Sequence, residues 1–498
     1  MENWQYVCLA LYSATVLILS VYGFHRFQML RLYRKHRLHA PPPPEKFASL
    51  PRVTVQLPMY NEYHVVDRLL EAVSRLDYPR ELLEIQVLDD SRDETREAAR
   101  GAADRLKQRG FDIHYINRDS RHGFKAGALA VGLERAAGEF VLILDADFVP
   151  PPQMLQRSIH HFTDPAIGMV QMRWGHLNRL YSLLTRIQSI FLDSHFVIEH
   201  TARNRSGRFF NFNGTAGIWR RRAIEEAGGW QHDTLTEDLD LSYRAQLAGW
   251  RFLFLPDVEV PAEVPVEINA FKSQQHRWTK GAVQTARKVL PRVWRADLPL
   301  AVKMEATYHL TANVSYILML LMALLTLPVL SIRAHLGWKG LLIVDLPLFS
   351  FATMAISGFY IASQRALYDD WKAQIKYLPL LMALGMSLCI NNTRAVVEGW
   401  IGHQSDFLRT PKYGVVTQGD GLRRRKYASQ KHLLAFIELF MAAYFAVALY
   451  KAWTINLYFG LPFLMLFHTG FLYTGVMSTL QPWLQSLRMR WPSLRLAS

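Results

Sequence analysis

The sequence predicts an α/β domain built on a mainly parallel sheet, joined to a set of α-helical membrane spans. Three observations predict it. Between about residues 52 and 300, short apolar runs alternate with charged, helix-like stretches, the pattern of strands and crossover helices in a parallel sheet. One run, Phe140-Val141-Leu142-Ile143-Leu144, is apolar throughout, as a strand buried on both faces requires, and ends in Asp145 and Asp147. Outside this region, long apolar segments recur with basic residues gathered beside them.

The 498 residues leave room for two or more domains, half of them are hydrophobic, and the formal net charge is +15. The basic residues are not spread evenly. Arg26, Arg31, Arg34, Lys35 and Arg37 follow the first apolar segment, and residues 423–426 precede a later one. That is the positive-inside pattern of a membrane protein. No aromatic-studded basic module or zinc-finger spacing occurs, which excludes nucleic acid as an expected partner. Cys8 and Cys389 both lie in apolar segments, so neither a disulfide framework nor a thiolate metal site is expected.

Residues 1–24 contain an apolar stretch, 6–23, without a positive leading region; it reads as an anchor with its N-terminus outside. Residues 25–50 form a basic linker with a stiff proline run, 41–44. Residues 51–300 form the α/β domain, and 301–498 the membrane region. Apolar segments recur there at 310–330, 341–362, 375–397, 433–450 and 457–480. If 375–397 crossed the bilayer, the basic loop 400–431 and the basic tail would lie outside; that segment also carries Asn391, Asn392 and Arg394. It is therefore expected to be an interfacial or re-entrant helix, leaving about five spans and a cytoplasmic α/β domain.

Within the domain, a first strand runs from Val53 to Pro58, and Tyr60-Asn61-Glu62 then opens a helix with Leu69, Leu70 and Val73 on one face. A second strand starts near Glu84 and ends in Asp89-Asp90, a third is His114-Tyr115-Ile116, and the fourth ends in Asp145 and Asp147. Residues two apart on a strand point the same way, so the last two carboxylates are aimed together. A capped strand-end turn and a cation site are both open readings of that stretch alone. Parallel sheets bind ligands beyond the carboxyl ends of their strands, where these acids sit. No Gly-x-Gly-x-x-Gly or P-loop occurs, which removes ordinary dinucleotide and ATPase readings. Lys125 starts the helix before the fourth strand, where a cation can meet phosphate or simply face solvent. Thr236-Glu237-Asp238 puts acids at a helix start with Thr236 as a cap. Gln274, Arg277 and Trp278 share one helix face, suited to sugar hydroxyls, phosphate and a sugar's apolar face, or to a membrane-interface helix.

These pieces, in this order, resemble the processive membrane glycosyltransferases of family 2, among them cellulose synthase, hyaluronan synthase and the plant cellulose-synthase-like mannan and glucan synthases. The resemblance rests on Asp89-Asp90, Asp145-Ala146-Asp147, Thr236-Glu237-Asp238 and Gln274-x-x-Arg277-Trp278, and covers nearly the whole chain. Phe407-Leu408-Arg409-Thr410-Pro411-Lys412 is similar to the family's gating-loop pattern, with Arg409 where the pattern has valine. Residues 56–62 and 212–217 look closest to the plant mannan and glucan synthase-like branch and its bacterial relatives.

The resemblance implies a GT-A type fold and a hexosyltransferase. It implies inverting transfer from UDP-glucose or GDP-mannose to the non-reducing end of a growing β-glycan, β-1,4, with extrusion across the membrane. Transfer of one sugar to a membrane lipid is the alternative, and an inactive transferase-like channel or scaffold a third reading. By the resemblance, Asp238 is the catalytic base. Tyr60, Glu62, Asp90, Lys125, Asp145 and Arg277 bind the donor, and Asp145 and Asp147 hold Mg²⁺ or Mn²⁺. Gly214, Thr215, Glu237, Gln274 and Trp278 meet the acceptor, and Phe407, Thr410 and Lys412 belong to the gating-like loop. The implied partners are the nucleotide sugar, a glycan or glycolipid acceptor, the bilayer and envelope export proteins, with a bacterial inner or plasma membrane as the implied location.

Overall fold

The computed structural model describes residues 2–336, 342–403, 409–417, 420 and 433–490. Helix α1 (Asn3–His36) leads into β1 (Val53–Met59), α2 (Val66–Ser74), β2 (Leu83–Asp89), α3 (Thr95–Gln108), β3 (Asp112–Asn117), α4 (Phe124–Arg135) and β4 (Phe140–Ile143). Then come β5 (Ile167–His176), α5 (Leu183–Ser194), a π-helical turn (His195–His200), α6 (Thr201–Arg205), β6 (Gly217–Arg220), α7 (Arg221–Glu226), α8 (Glu237–Leu247) and β7 (Arg251–Ala262). The remaining helices are α9 (Ile268–Arg295), α10 (Leu300–Thr311), α11 (Ser315–Leu336), α12 (Leu342–Leu367), α13 (Trp371–Gln374), α14 (Leu378–Ser387), α15 (Cys389–Ile401), α16 (Leu433–Thr454) and α17 (Leu461–Arg490).

The seven strands form one sheet in the order β3-β2-β1-β4-β6-β5-β7. The first four run parallel, as their alternation with helices predicts, and β6 runs antiparallel to β4 and β5. Strands β5, β6 and β7 were not expected. Strand β5 interrupts its apolar run with Gln171 and Arg173, β7 carries Pro256 and Pro261, and β6 has only four residues, so none shows a clean period. One face of the sheet packs Val53, Val55 and Leu57 against Leu69, Leu70 and Ala99 of α2 and α3. The other packs Leu88, Val141 and Ile143 against Leu129 of α4 and Leu241 of α8. Each fully buried aliphatic side chain of this kind contributes about 1.5–3 kcal/mol. Covering both faces leaves the carboxyl ends of β1, β2 and β4 as the open edge.

Helix α9 joins the domain to the membrane helices. At Gly281 a Cβ would stand 2.6 Å from Thr236 Cγ2, so the close approach to the start of α8 requires glycine. On the membrane side, the buried Lys272 pairs with Glu438 of α16 at 2.6 Å, and Asn391 of α15 donates to the Lys272 carbonyl at 2.9 Å. Thr236 occupies the position before α8, but it makes no side-chain cap there; its hydroxyl meets Thr285 Oγ1 of α9 at 3.2 Å.

Among the described residues, four helices are long and apolar enough to cross a membrane: Asn3–His36, Leu300–His335, Leu433–Thr454 and Tyr458–Leu484. The pair Trp371–Ser387 and Cys389–Ile401, bent by 42°, is a broken span or a re-entrant loop; counted as one span it brings the number to five. Helix α12 covers the apolar segment expected at 341–362.

Candidate active site

Three strand ends supply the floor of one pocket. After β1 the chain turns through Tyr60, Asn61 and Glu62, with Asn61 at a φ of 57°. After β2 comes Asp90, and after β4 come Asp145 and Asp147. Helix α4 adds Lys125, the start of α8 adds Glu237 and Asp238, α9 adds Gln274, Arg277 and Trp278, and the segment 409–417 adds Arg409, Thr410 and Lys412. The pocket thus gathers every expected site residue except two. Phe407 lies outside the described residues. Thr215 is fully buried beneath the pocket and is no acceptor-facing residue: its hydroxyl accepts the Asp145 backbone N–H at 2.8 Å, because the turn before β6 packs under the strand end.

The two strand-end carboxylates each carry a lysine. Lys125 Nζ is 2.5 Å from Asp145 Oδ1 and also donates to the Gly214 carbonyl at 2.9 Å. Lys412 Nζ is 2.5 Å from Asp147 Oδ2 and donates to the Glu263 carbonyl at 2.8 Å. Gly214 has a φ of +81°, and a Cβ there would be 3.0 Å from Asp238 Oδ2. The turn at 213–215 therefore touches Lys125, Asp145 and the face of Asp238 at once.

Burial opposes the charge on Lys125, but Asp145, Glu237 and Asp238 outweigh it and hold the ammonium above its usual value. Burial raises Glu237. It also raises Asp238, helped by the neighbouring Glu237 charge, to about 7. Burial lowers the Arg277 guanidinium, opposed by Glu237, Asp145 and Asp238. A carboxylate raised into the neutral range beside buried cations is the environment of a general base.

Several pocket residues escaped the sequence reading. Arg118, behind the pocket, holds Asp90 side-on through Nε and Nη2, the Nε–Oδ1 contact being 2.8 Å. Arg121 lies over the Tyr60 ring, 3.5 Å from its centroid. Both sit in the basic run just ahead of Lys125, which was the signal available for them. Trp174 and His176 come from the end of the unexpected β5, and Asn213 precedes Gly214. Arg409, where the gating pattern has valine, pairs with Glu62 and donates to the Asn61 carbonyl. Tyr413 and Gly414 extend this fastening to Glu267 and Glu263. The segment 409–417 is thus strapped across the pocket.

Among the described residues no group of three or more His, Cys, Asp or Glu converges as a metal site. Asp145 and Asp147 nevertheless put two hard oxygen donors on the pocket wall, and Mg²⁺-like ions are commonly held by one or two carboxylates plus substrate phosphates and water. The donor set fits such an ion in the company of a diphosphate.

Comparison with known proteins gives a coherent neighbourhood. Residues 51–281 match the family model "Glycosyltransferase like family 2". The chain is 45% identical over 253 residues to glucomannan 4-beta-mannosyltransferase 2 of Arabidopsis thaliana, covering 50% of this chain and 47% of that protein. It is 42% identical over 247 residues to probable glucomannan 4-beta-mannosyltransferase 6 of Oryza sativa subsp. japonica, covering 49% and 43%. The matched region therefore spans about half the length of these relatives. In structure, the mannosyltransferase PcManGT of Pyrobaculum calidifontis, solved with GDP-Man and Mn²⁺, aligns at a TM-score of 0.54 and 21% identity over 79% of this chain and all of its own, a likeness of fold. Both curated relatives are plant proteins and give the expected bacterial membrane no support.

Proposed function

We propose, from the match of residues 51–281 to the glycosyltransferase like family 2 model, that the chain transfers mannosyl units from GDP-mannose to the non-reducing end of a β-1,4-glycan at a membrane surface. The observation that carries this is the single pocket uniting a carboxylate raised into the neutral range, Asp238, with the buried cations Lys125 and Arg277 and, on the same wall, Trp278. The names of the curated relatives support mannosyl over glucosyl transfer; UDP-glucose is the second donor candidate.

In the proposed reaction the acceptor hydroxyl attacks the anomeric carbon, the new C–O bond forms opposite the breaking bond to the diphosphate, and Asp238 takes the hydroxyl proton. Inversion follows from the single displacement. Lys125, Arg277 and Lys412 meet the negative charge that grows on the leaving diphosphate, where preplaced cations lower the barrier most. Asp145 and Asp147 would hold Mg²⁺ or Mn²⁺, which when bound neutralises diphosphate oxygens. In this reading Tyr60 and Asp90 would meet the nucleoside end of the donor, and Gln274 and Trp278 the acceptor sugar.

Export is the natural fate of a growing chain. Trp278 and Gln274 of α9 face the catalytic pocket, while the adjacent Gln275 and Phe271 line a cavity of about 340 Å³ among the membrane helices. Tyr22, His309, Tyr316 and Tyr360 give that cavity polar and aromatic walls. Product length tests processivity: size-resolved products of the purified protein should be polymeric, and a protein that yields only singly glycosylated lipid has the alternative function.

Two further outcomes are expected. Gly214→Ala places a Cβ at a positive φ, costing about 1–2 kcal/mol, and presses Asp238 aside. Turnover should fall at least about tenfold by the misplacement while the thermal midpoint moves by only a few degrees. The pH profile of kcat/KM should have an acid limb near 7, the value to which Asp238 is raised. The base form exists above that pH and is lost below it, so the rate should drop about tenfold per unit as pH falls. An acid limb near the ordinary aspartate value, about 4, would exclude Asp238 in this role.

A further inference from the structure

We propose that Arg26 of membrane helix α1, acting through Glu199 and His195, is a positioning residue for the catalytic turn 213–215; the inference rests on the transfer proposed above. That turn is the hub of the pocket. Its Gly214 carbonyl accepts from Lys125, its Thr215 hydroxyl accepts from the Asp145 amide, and Gly214 lies against Asp238. Its first residue, Asn213, is gripped at both ends of its carboxamide. The oxygen accepts from His200 Nε2 at 2.6 Å, and the nitrogen donates to His195 Nε2 at 3.0 Å.

The π-helical turn makes this grip geometrically accessible. In an α-helix, residues five apart point about 140° away from each other at 3.6 residues per turn. In the wider π turn, His195 and His200 face the same side, with ring centroids 4.5 Å apart. Because His195 Nε2 accepts from Asn213, the ring's proton is on Nδ1, which donates to Glu199 Oε2 at 2.8 Å. The other Glu199 oxygen pairs with Arg26. Arg203 lies 3.3 Å from Glu199 and 2.9 Å from Glu305, and Glu305 meets His25 at 2.9 Å. Burial, with Arg203 nearby, pushes both imidazoles down, His200 to about 3, so they stay neutral and hold these hydrogen-bond directions across the working pH range.

The chain of contacts runs without interruption from the inner end of a membrane helix to the wall of the catalytic pocket. The network is largely buried, with Arg26 partly exposed to the membrane cavity; buried ion pairs are a poor device for stability, since apolar replacements of similar volume are often as stable or more so. As a device for direction it is well suited, because each hydrogen bond fixes the orientation of the next group. Seating of α1 against the π turn then sets the catalytic turn, and the membrane anchor is part of the transferase.

A double-variant cycle on the full chain in lipid nanodiscs tests this with GDP-mannose as donor. Arg26→Gln should lower kcat about tenfold through misplacement of the turn, with the donor KM within about threefold. Arg26→Lys should recover at least half the rate. In an Asn213→Ala background, Arg26→Gln should cost nothing more, because the relay is already cut. Wild-type turnover in Arg26→Gln, or losses that multiply in the double variant, would overturn the inference while leaving the transferase reading intact. If Arg26→Gln is not recovered folded, Glu199→Gln, nearly isosteric, takes its place in the same cycle. A wild-type protein that transfers no sugar from any nucleotide donor would remove the transferase reading and this inference with it.

Discussion

Asp238→Asn is expected to lower sugar transfer by roughly 10²–10⁴-fold, the usual contribution of a general base, while nucleotide binding changes by less than about threefold. The substitution is nearly isosteric, and the Leu239 N–H that donates to Asp238 Oδ1 at 2.8 Å keeps an acceptor in asparagine. The start of α8 therefore stays intact, and the loss is chemical. Single-turnover measurements separate the two effects. Retention of more than half the wild-type rate would move the base elsewhere in the pocket, with the adjacent Glu237 the first alternative. A variant that loses nucleotide binding and rate together would instead mean that Asp238 builds the donor site.

The second large effect is expected at Asp147. Asp147→Asn removes one of two hard donors for the cation and the partner of Lys412, so the strap at 409–417 loses a fastening at the same time. Transfer should fall at least about 10²-fold, as loss of a group that neutralises the leaving diphosphate predicts. Titration of GDP affinity against Mn²⁺ is the decisive readout. In the wild type, affinity should rise with Mn²⁺; in Asp147→Asn that dependence should be lost or greatly weakened. Chelation of divalent ions should reproduce the variant's loss of turnover. Undiminished turnover after chelation would leave Asp145 and Asp147 as partners of Lys125 and Lys412 alone.

What was legible in the sequence follows from which signals are local. Strands β1, β2 and β4 are buried on both faces, and β2 and β4 run into Asp89-Asp90 and Asp145, so these runs mark both strand and site. Strands β5 and β7 mix polar residues and prolines into their runs because they lie on the irregular half of the sheet, with register shifts where they pair. The site residues that could be read lie in short motifs; those that could not depend on partners far along the chain. Arg409 was visible as a departure from a pattern, but its partner Glu62 is 347 residues away. Thr215 belongs to a stretch that the resemblance assigns to the acceptor, whereas the turn sends its hydroxyl inward to Asp145. The network at His195, Glu199 and His200 was illegible for a conformational reason: residues five apart share a face only in a π turn, which no hydrophobic period announces.

The central claim is that the chain polymerises a sugar from a nucleotide donor. Purified protein in nanodiscs, incubated in parallel with radiolabelled GDP-mannose and UDP-glucose, tests it directly when the products are digested with linkage-specific glycosidases. The account predicts a labelled polymer from GDP-mannose that β-1,4-mannanase degrades and that Asp238→Asn does not make. Label recovered only as free sugar or in a single-sugar lipid, from either donor, would contradict it.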